Sequence, residues 1–258
     1  MAATRTTKRK HNYIVVKHND IIQKTQHALT EQQQNILLYM VSHIEKDDSP
    51  DKVYTFYVRD FCRTFNIDDT SGYYYETLKK DIIEIDSQMM IMENSDKPKE
   101  YIRLRWLNVL RIGESDGGYI KYNFTQDIRP YVYELKERFT RYKVKYTMAI
   151  SGRYGKKLYE LLKSYQHLTT EKHFDLEKLK FLLDAENYNR FPDFRRYVLE
   201  PAVSEINKYT DIAVRWEKDI PEGQRAVKGI VFTIYPVGNP DLIEERTENL
   251  EIKLGYEG

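Results

Sequence analysis

The stretch Phe56-x-Val58-x-x-Phe61-x-x-x-Phe65 recurs about 118 residues later as Phe174-x-Leu176-x-x-Leu179-x-x-x-Leu183. The apolar positions that follow the first residue of each copy recur at intervals of three and four, which is the spacing of one helix face. An amphipathic helix precedes each copy, a second one follows it, and hydrophobic strands around a polar turn come next. Helix, short strand, helix, helix and hairpin is the order of a winged helix. The sequence therefore predicts an α+β fold of two tandem winged-helix domains with a pseudo-twofold internal repeat.

The length of the chain and its charge distribution predict four segments. A chain of 258 residues is long enough for two domains. We predict a basic flexible arm at residues 1–12, a first winged helix at 13–130, a second winged helix at 131–237 and an acidic tail at 238–258. The arm carries four cations and no acid, whereas the last 18 residues carry six acids against two cations. We expect both ends of the chain to be mobile.

Helix start signals place several elements of the two domains. Thr30, with Gln33 three residues later, predicts a capping box at the start of a helix. Ser151 and Asp175 are candidate N-caps in the second half, because a short polar side chain can accept a hydrogen bond from a free N–H of the first helical turn. Residues 70–72 predict a turn whose serine caps the following helix.

Other patterns predict a hairpin, a helix and a distortion. Residues 89–92 and 101–112 are apolar and surround the polar loop 93–100, which indicates a β-hairpin. Residues 126–139 predict a helix with a proline near its start. Pro201 lies inside the last predicted helix, where we expect a kink or break, because proline removes one backbone hydrogen bond and clashes with the preceding turn.

Residue types that support catalysis or metal binding are sparse. Cys62 is the only cysteine, so no disulfide can form within the chain and a reducing cytoplasm is expected. Its place in a Phe-rich helix indicates a small core residue. The six histidines form no H-x-H or H-x-x-x-H pair, so we expect no metal, no cofactor and no enzymatic activity. No apolar run approaches the ~18 residues of a membrane span.

The last predicted helix, residues 191–208, has the composition of a DNA recognition helix. Such a helix needs an apolar face against its own domain and a basic face toward the major groove. Arg195 and Arg196 lie off the apolar stripe near the N-terminal end, and arginine can donate two hydrogen bonds to guanine O6 and N7. The alternative interpretation is that these arginines form surface ion pairs with Glu200 or Asp193. The apolar stripe consists of Phe194, Val198, Ala202 and Ile206.

Basic residues elsewhere complete the predicted DNA-binding set. Lys79 and Lys80 hold a similar place in the first copy, where phosphate contact is expected because lysine is a point charge without a fork. Three cations occupy the first turns of the helix after Ser151, where they oppose the helix dipole, so a phosphate partner is predicted for them. The turn 217–228 suits a wing that lies along DNA, with a solvated hairpin tip as the alternative. Besides the residues above, the set contains Arg153, Lys156, Lys157, Arg190, Lys218, Arg225 and Lys228.

Two longer stretches carry a family resemblance. Residues 151–163, SGRYGKKLYELLK, are similar to the "s-x-R-Y-s-x-x-L-Y-E-L-L" signature of theta-type plasmid replication initiators. Residues 194–207, FRRYVLEPAVSEIN, resemble the same proteins, as do VKHND at 16–20 and LTEQQ at 29–33. The resemblance covers nearly all of 13–236 and is more specific in the second half.

The resemblance implies a function and a set of partners. Two winged helices would bind directly repeated origin sequences (iterons) in double-stranded DNA as a monomer, help to open adjacent AT-rich DNA, and recruit the host initiator and the replicative helicase. A dimer formed largely through the first domain would repress the protein's own promoter or pair origins. Arg195 and Arg196 would belong to the main base-reading helix, and Lys79 and Lys80 to the helix of the first domain. The wing cluster at residues 223–228, GQRAVK, is thinner than the family's Gly-Arg-Lys-like cluster.

Three other functions are compatible with parts of the pattern. A winged-helix transcriptional regulator without a replication role is the nearest alternative, and direct repeats beside the gene would separate it from an initiator. A rolling-circle or relaxase-type enzyme would nick supercoiled DNA with a metal, but the histidine motif that this chemistry needs is missing. A winged-helix module for protein interaction would not retain DNA.

Overall fold

The computed structural model describes most of the chain. The described residues are 13–68, 73–94, 97, 100–115, 118–133, 135–238 and 240–255. The predicted basic arm, residues 1–12, and the predicted turn at 70–72 lie outside them.

Eleven strands lie in the described part of the chain: β1 Ile14–His18, β2 Thr25–Gln26, β3 Tyr54–Tyr57, β4 Met89–Glu93, β5 Tyr101–Arg105, β6 Leu107–Gly113, β7 Tyr119–Phe124, β8 Phe139–Lys143, β9 Glu171–Asp175, β10 Ile212–Asp219 and β11 Gly229–Pro236. The α-helices there are α1 Asn19–Gln23, α2 Glu31–Val41, α3 Val58–Thr64, α4 Tyr73–Ser87, α5 Arg129–Val132, α6 Val144–Ala149, α7 Arg153–Lys163, α8 Leu176–Leu183, α9 Phe191–Phe194, α10 Glu200–Tyr209 and α11 Pro240–Leu254. A π turn, Arg195–Leu199, joins α9 to α10.

The internal repeat is confirmed by the topology of the two domains. In the first domain β3 leads into α3 and forms a sheet of order β3-β7-β6, and in the second β9 leads into α8 and forms a sheet of order β9-β11-β10. All strand pairs in both sheets are antiparallel. Phe56 and Phe174 are buried at matching places, Phe56 opposite Ile120 and Phe174 opposite Ile230. Each domain is therefore a winged helix, and the predicted fold class is correct.

Two predicted elements in the segment 101–139 are wrong. The segment 101–112 is not one strand, because β5 pairs with β4 while β6 pairs with β7 in a different sheet. The buried Trp106 separates the two strands. The hairpin that corresponds to the wing of the second domain is thus β6–β7, and β4–β5 is an additional hairpin. The helix predicted at 126–139 is only the four-residue α5, and the rest of that segment leads into β8.

The predicted helix caps are largely confirmed. Thr30 and Gln33 form the complete capping box at the start of α2. The Asp175 carboxylate accepts hydrogen bonds from two N–H groups of the first turn of α8. The prediction for Ser151 is wrong, since Gly152, at φ 79°, occupies the N-cap of α7. A positive φ is a conformation that glycine adopts without steric cost.

The two domains are joined by a short sheet and a buried ion pair. Strand β1, at the start of the first domain, pairs antiparallel with β8, which lies within the segment 131–237 predicted for the second domain. Lys17 on β1 forms an ion pair with Glu160 on α7, and both side chains are at least 90% buried. The hydroxyl of Tyr142 donates to the same carboxylate. A buried charge is tolerated when it is paired and hydrogen-bonded in this way.

The acidic end of the chain is not a mobile tail, which corrects the prediction. It forms the 15-residue helix α11. Arg246 is buried and donates to the carbonyl oxygens of Thr210 and Ile212 at 2.8 and 2.7 Å. Leu250 is buried against Ala149 and Tyr209. One arginine and one leucine therefore attach the helix, although seven of its fifteen residues are charged.

Candidate nucleic-acid interface

The helix over residues 191–209 is continuous but changes its hydrogen-bond register. The N–H of Glu200 donates to the carbonyl of Arg195, five residues back, which closes the π turn. A kink or break is predicted at Pro201; the chain stays helical on both sides of the proline, so the helix does not end there, and the distortion is the change of register just before it. Proline supplies no N–H, so the α-helical ladder is interrupted at this level. The π turn lies directly before that interruption, and π turns within helices are often found at functional sites.

The predicted two faces of this helix are present. The stripe residues Phe194, Val198, Ala202 and Ile206 are all buried, together with Leu199 and Val203. Three consecutive side chains of the π turn, Arg195, Arg196 and Tyr197, are exposed. The helix therefore presents a short, basic and aromatic surface directly beside its buried face.

The three arginines near the start of the helix differ in their partners. The Nε of Arg195 lies 2.9 Å from a carboxylate oxygen of Glu200, and the Nε of Arg190 lies 3.8 Å from one of Asp193. The alternative interpretation, a surface ion pair, is thus found for Arg195. Arg196 has no ion pair among the described residues, and its guanidinium lies 5.3 Å from the ring centre of Tyr197. It is the arginine that is freest to contact a base.

The hairpin β10–β11 lies beside the start of this helix, as the wing of a winged helix does. Its Trp216 ring lies 6.5 Å from the ring of Phe191, and the Lys218 ammonium lies 5.6 Å from the same Phe191 ring. Lys218, Arg225 and Lys228 are all exposed. Recognition helix and wing therefore present their cations from neighbouring elements.

The lysines of the first domain lie on α4 as predicted. Lys80 is 77% exposed and lies 3.8 Å from Glu84, whereas Lys79 is half-buried and lies 3.6 Å from Glu76. Such exposed pairs contribute little stability. A phosphate could therefore replace the carboxylate at Lys80 with little loss.

The prediction that Lys156 and Lys157 contact phosphate is contradicted by their burial. The Lys156 side chain has no exposed surface, and its ammonium donates to the carbonyl oxygens of Thr147 and Ile150. The Lys157 ammonium donates to the carbonyl of His27, in the first domain. Burial lowers the pKa of Lys156 to about 8 and that of Lys157 to about 7. Both lysines therefore stabilise the interior rather than the DNA surface.

Arg153 is half-buried and already engaged. Its Nη1 lies 2.9 Å from the Asp184 carboxylate, and its Nη2 lies 3.1 Å from the hydroxyl of Tyr154. The argument from the helix dipole missed these partners, since backbone carbonyls and one carboxylate compensate the cations at the start of α7. The apolar residues around the lysines in the sequence were the available signal, because Leu158, Leu161 and Leu162 leave few exposed positions on this helix.

The structure also explains a polar motif residue that lies near the wing. Asn207 donates to the carbonyl of Val214 at 2.9 Å and accepts from its N–H at 2.7 Å. Val214 lies on β10, which is an edge strand of its sheet. Asn207 thus occupies the free hydrogen-bonding groups of the edge, which would otherwise be available for pairing with another strand.

Within the ranges given above, no group of three or more His, Cys, Asp or Glu side chains is arranged to hold a metal ion. No helix among the same residues is long and apolar enough to cross a membrane.

Comparison with known families and proteins gives matches along most of the chain. A family profile described as "Initiator Replication protein, WH1" matches residues 14–163, and one described as "Initiator Rep protein, WH2" matches 175–234. The chain is 24% identical over 250 residues to a replication initiation protein of Escherichia coli, which covers 93% of this chain and 75% of that protein. It is 32% identical over 114 residues to the PI protein of Escherichia coli, and this alignment covers 38% of this chain and 37% of that protein.

A solved structure shares the fold of this chain. The crystal structure of the Pi initiator protein in complex with iteron DNA aligns with a TM-score of 0.69 and 21% identity. The alignment covers 89% of this chain and 99% of the other. The helix α11 lies beyond the residues that either family profile matches.

Proposed function

Since the chain belongs to the family of initiator replication proteins, we propose that it initiates plasmid replication by binding directly repeated origin sequences through both winged helices. The similar Pi initiator was crystallised with iteron DNA, which supports double-stranded repeats as the ligand here. The observation that carries the proposal is the exposed face of the 191–209 helix. There Arg195 and Arg196 project from a π turn whose opposite side is buried.

In this proposal the second domain reads the bases. A guanidinium can donate two parallel hydrogen bonds to guanine, and each such contact gives ~1–3 kcal/mol of discrimination. Arg196 is available for this contact at once, whereas Arg195 exchanges its bond to Glu200 for one to DNA. The wing cations Lys218, Arg225 and Lys228 contact the phosphate backbone and fix the register of the helix.

The first domain contributes affinity more than sequence reading. In this proposal Lys79 and Lys80 on α4 contact phosphate in place of Glu76 and Glu84, and Arg190 adds one more cation beside the second domain's helix. If about six of these groups contact phosphate, log K should fall against log salt concentration with a slope of about −5. Lys156, Lys157 and the engaged Arg153 do not contribute to that slope.

The remaining steps follow the family. Binding to adjacent repeats distorts the DNA and opens an AT-rich segment, and the bound protein recruits the host initiator and the replicative helicase. A dimer represses the protein's own promoter. These steps take place in the cytoplasm, where plasmid DNA lies, and none of them requires a catalytic residue.

A plasmid maintenance assay tests the proposal. A circular DNA that carries the gene, the repeats beside it and a selectable marker, but no other origin, should replicate in a suitable host. Replacement of Arg195 and Arg196 by alanine should abolish maintenance, whereas an exposed control such as Tyr235→Ala should not. If the wild type binds the repeats but the circle is never maintained, the chain acts as a transcriptional regulator of the same fold.

A further inference from the structure

Two Arg-Tyr pairs in the motif stretches are brought close together by the fold. Arg153-Tyr154 begins α7, and Arg196-Tyr197 lies in the π turn before α10. Tyr188, in the loop before α9, lies between them. Its ring centre is 6.1 Å from that of Tyr154, at 77°, and 6.3 Å from that of Tyr197, at 29°. We call Tyr154, Tyr188 and Tyr197 the tyrosine row.

An arginine lies at each end of the tyrosine row. The Arg153 guanidinium is 4.9 Å from the ring centre of Tyr154, and the Arg196 guanidinium is 5.3 Å from that of Tyr197. A cation within about 6 Å of an aromatic ring centre is attracted by the electrons of the ring face. Cation, three rings and cation therefore form one continuous chain of contacts across the second domain.

The two ends of this chain of contacts differ in rigidity. Arg153 is held by the Asp184 carboxylate at 2.9 Å and by the Tyr154 hydroxyl at 3.1 Å. Asp184 ends α8 in a left-handed conformation and also accepts from Gln26 of the first domain at 3.2 Å. At the other end of the row, the Arg196 guanidinium contacts the Tyr197 ring and forms no ion pair among the described residues. One end of the row is thus anchored in the body of the protein, and the other carries the free guanidinium.

The row is not part of the ordinary core. Tyr197 is 54% exposed, and Tyr154 and Tyr188 are only partly buried. Burial and a hydrogen bond with Tyr154 raise the pKa of Tyr188, so its hydroxyl stays neutral and can bond. The exposed Tyr197 ring lies on the same face as Arg195 and Arg196. The contact that the geometry provides is with Arg196.

We propose that the tyrosine row positions Arg196 for base recognition, and that Tyr188 is a positioning residue for sequence-specific binding although it carries no charge. A free arginine samples many rotamers, and ordering it on binding costs conformational entropy. The row removes part of that cost by holding the guanidinium over a ring that is itself held by Tyr188 and Tyr154. This inference rests on the proposed function, because it concerns the same base-reading helix.

A double-mutant cycle tests the proposal. Affinity for an origin repeat and for a scrambled duplex is measured for the wild type, Tyr188→Leu, Arg196→Ala and the double variant. Leucine keeps apolar volume at the site but removes the ring, so it is less prone to unfold the domain than alanine. Tyr188→Leu should weaken specific binding about threefold to tenfold, leave scrambled binding unchanged, and have little further effect when Arg196 is already alanine.

Two further variants separate positioning from other roles. Tyr188→Phe keeps the ring and should restore most of the affinity, since the stacking with Tyr197 remains. Tyr235 lies on β11 and is 42% exposed. Its replacement by alanine should leave both affinities at the wild-type values.

The outcomes distinguish this inference from the proposed function. If the wild type does not prefer the repeat, the proposed function fails. If the wild type discriminates but Tyr188→Leu weakens binding equally with and without Arg196, the row touches DNA or supports the fold, and the positioning role is refuted. No effect of Tyr188→Leu on specific binding refutes it as well.

Discussion

Replacing Lys156 by alanine separates the structural role seen here from the phosphate contact that the sequence suggests. The change leaves the carbonyl oxygens of Thr147 and Ile150 without their donor, at about 1–3 kcal/mol for each buried group. It also removes three buried methylenes, at about 0.8 kcal/mol each. Part of this loss is offset, because burial of the charged ammonium destabilises the wild-type fold. Burial lowers the pKa of Lys156 from 10.5 to about 8, which corresponds to about 3 kcal/mol. We expect a net loss of about 1–5 kcal/mol in the free energy of unfolding.

The assay combines urea denaturation with DNA binding at several salt concentrations. Lys156→Ala should lower the urea midpoint but leave the slope of log K against log salt unchanged, because the side chain has no exposed surface. Lys218→Ala is the matched control, since this lysine is exposed on the wing. It should leave the urea midpoint unchanged and make the salt slope less steep by about 0.9. If Lys156→Ala instead reduces the slope by that amount and keeps the parent's stability, the buried assignment is wrong.

Three further predictions follow from single side chains. Burial lowers the pKa of Lys157 to about 7, so between pH 7 and about 10 the unfolded chain holds a proton that the folded chain has released. The free energy of unfolding should therefore rise with pH across this window. In pH-dependent urea titrations Lys157→Met should remove the rise between pH 7 and 8 and leave above pH 8 the part that Lys156 contributes, since the pKa of Lys156 is about 8. Asp175→Ala should cost about 1 kcal/mol in the same titration, whereas Asp175→Asn, which keeps an acceptor for the N–H groups of α8, should cost clearly less; equal losses would exclude the cap as the cause. Arg246→Met should leave the carbonyls of Thr210 and Ile212 without their donor and detach α11 from the domain. Amide hydrogen exchange in residues 240–254 should then become faster, and unchanged exchange there would contradict the attachment.

The repeated fold was accessible from the sequence because it is written in periodic patterns. Phe56 and Phe174 begin the same strand-to-helix unit, and the apolar spacing after each of them follows one helix face. Caps such as Thr30 and Asp175 act locally, so the side chain and the N–H groups that it bonds lie within three residues. Features of this kind need no knowledge of distant contacts.

Two of the wrong predictions concern contacts between residues that are distant in the sequence. Lys157 bonds the carbonyl of His27, which is 130 residues away, and no local pattern reports that partner. Helix α11 is anchored by Arg246 to carbonyl groups more than 30 residues earlier, so its charged composition suggested a mobile tail. In both cases the sequence suggests a charged side chain in solvent, whereas in the fold the backbone carbonyl groups of another element accept its hydrogen bonds.

The sequence predicts the candidate site only in part. The face of Arg195 and Arg196 follows from helical spacing and is present in the structure, although contact of these residues with DNA stays a prediction. The register change before Pro201 and the role of Tyr188 depend on hydrogen bonds and ring contacts that only the folded chain shows.

The most direct test of the account is fluorescence anisotropy at near-physiological salt. It compares a duplex that carries the repeats beside the gene with a scrambled duplex of the same length and composition. We predict at least about 10³-fold tighter binding to the repeats, and loss of that preference when Arg195 and Arg196 are replaced by alanine. Equal, weak binding of the wild-type protein to both duplexes would contradict sequence-specific origin binding.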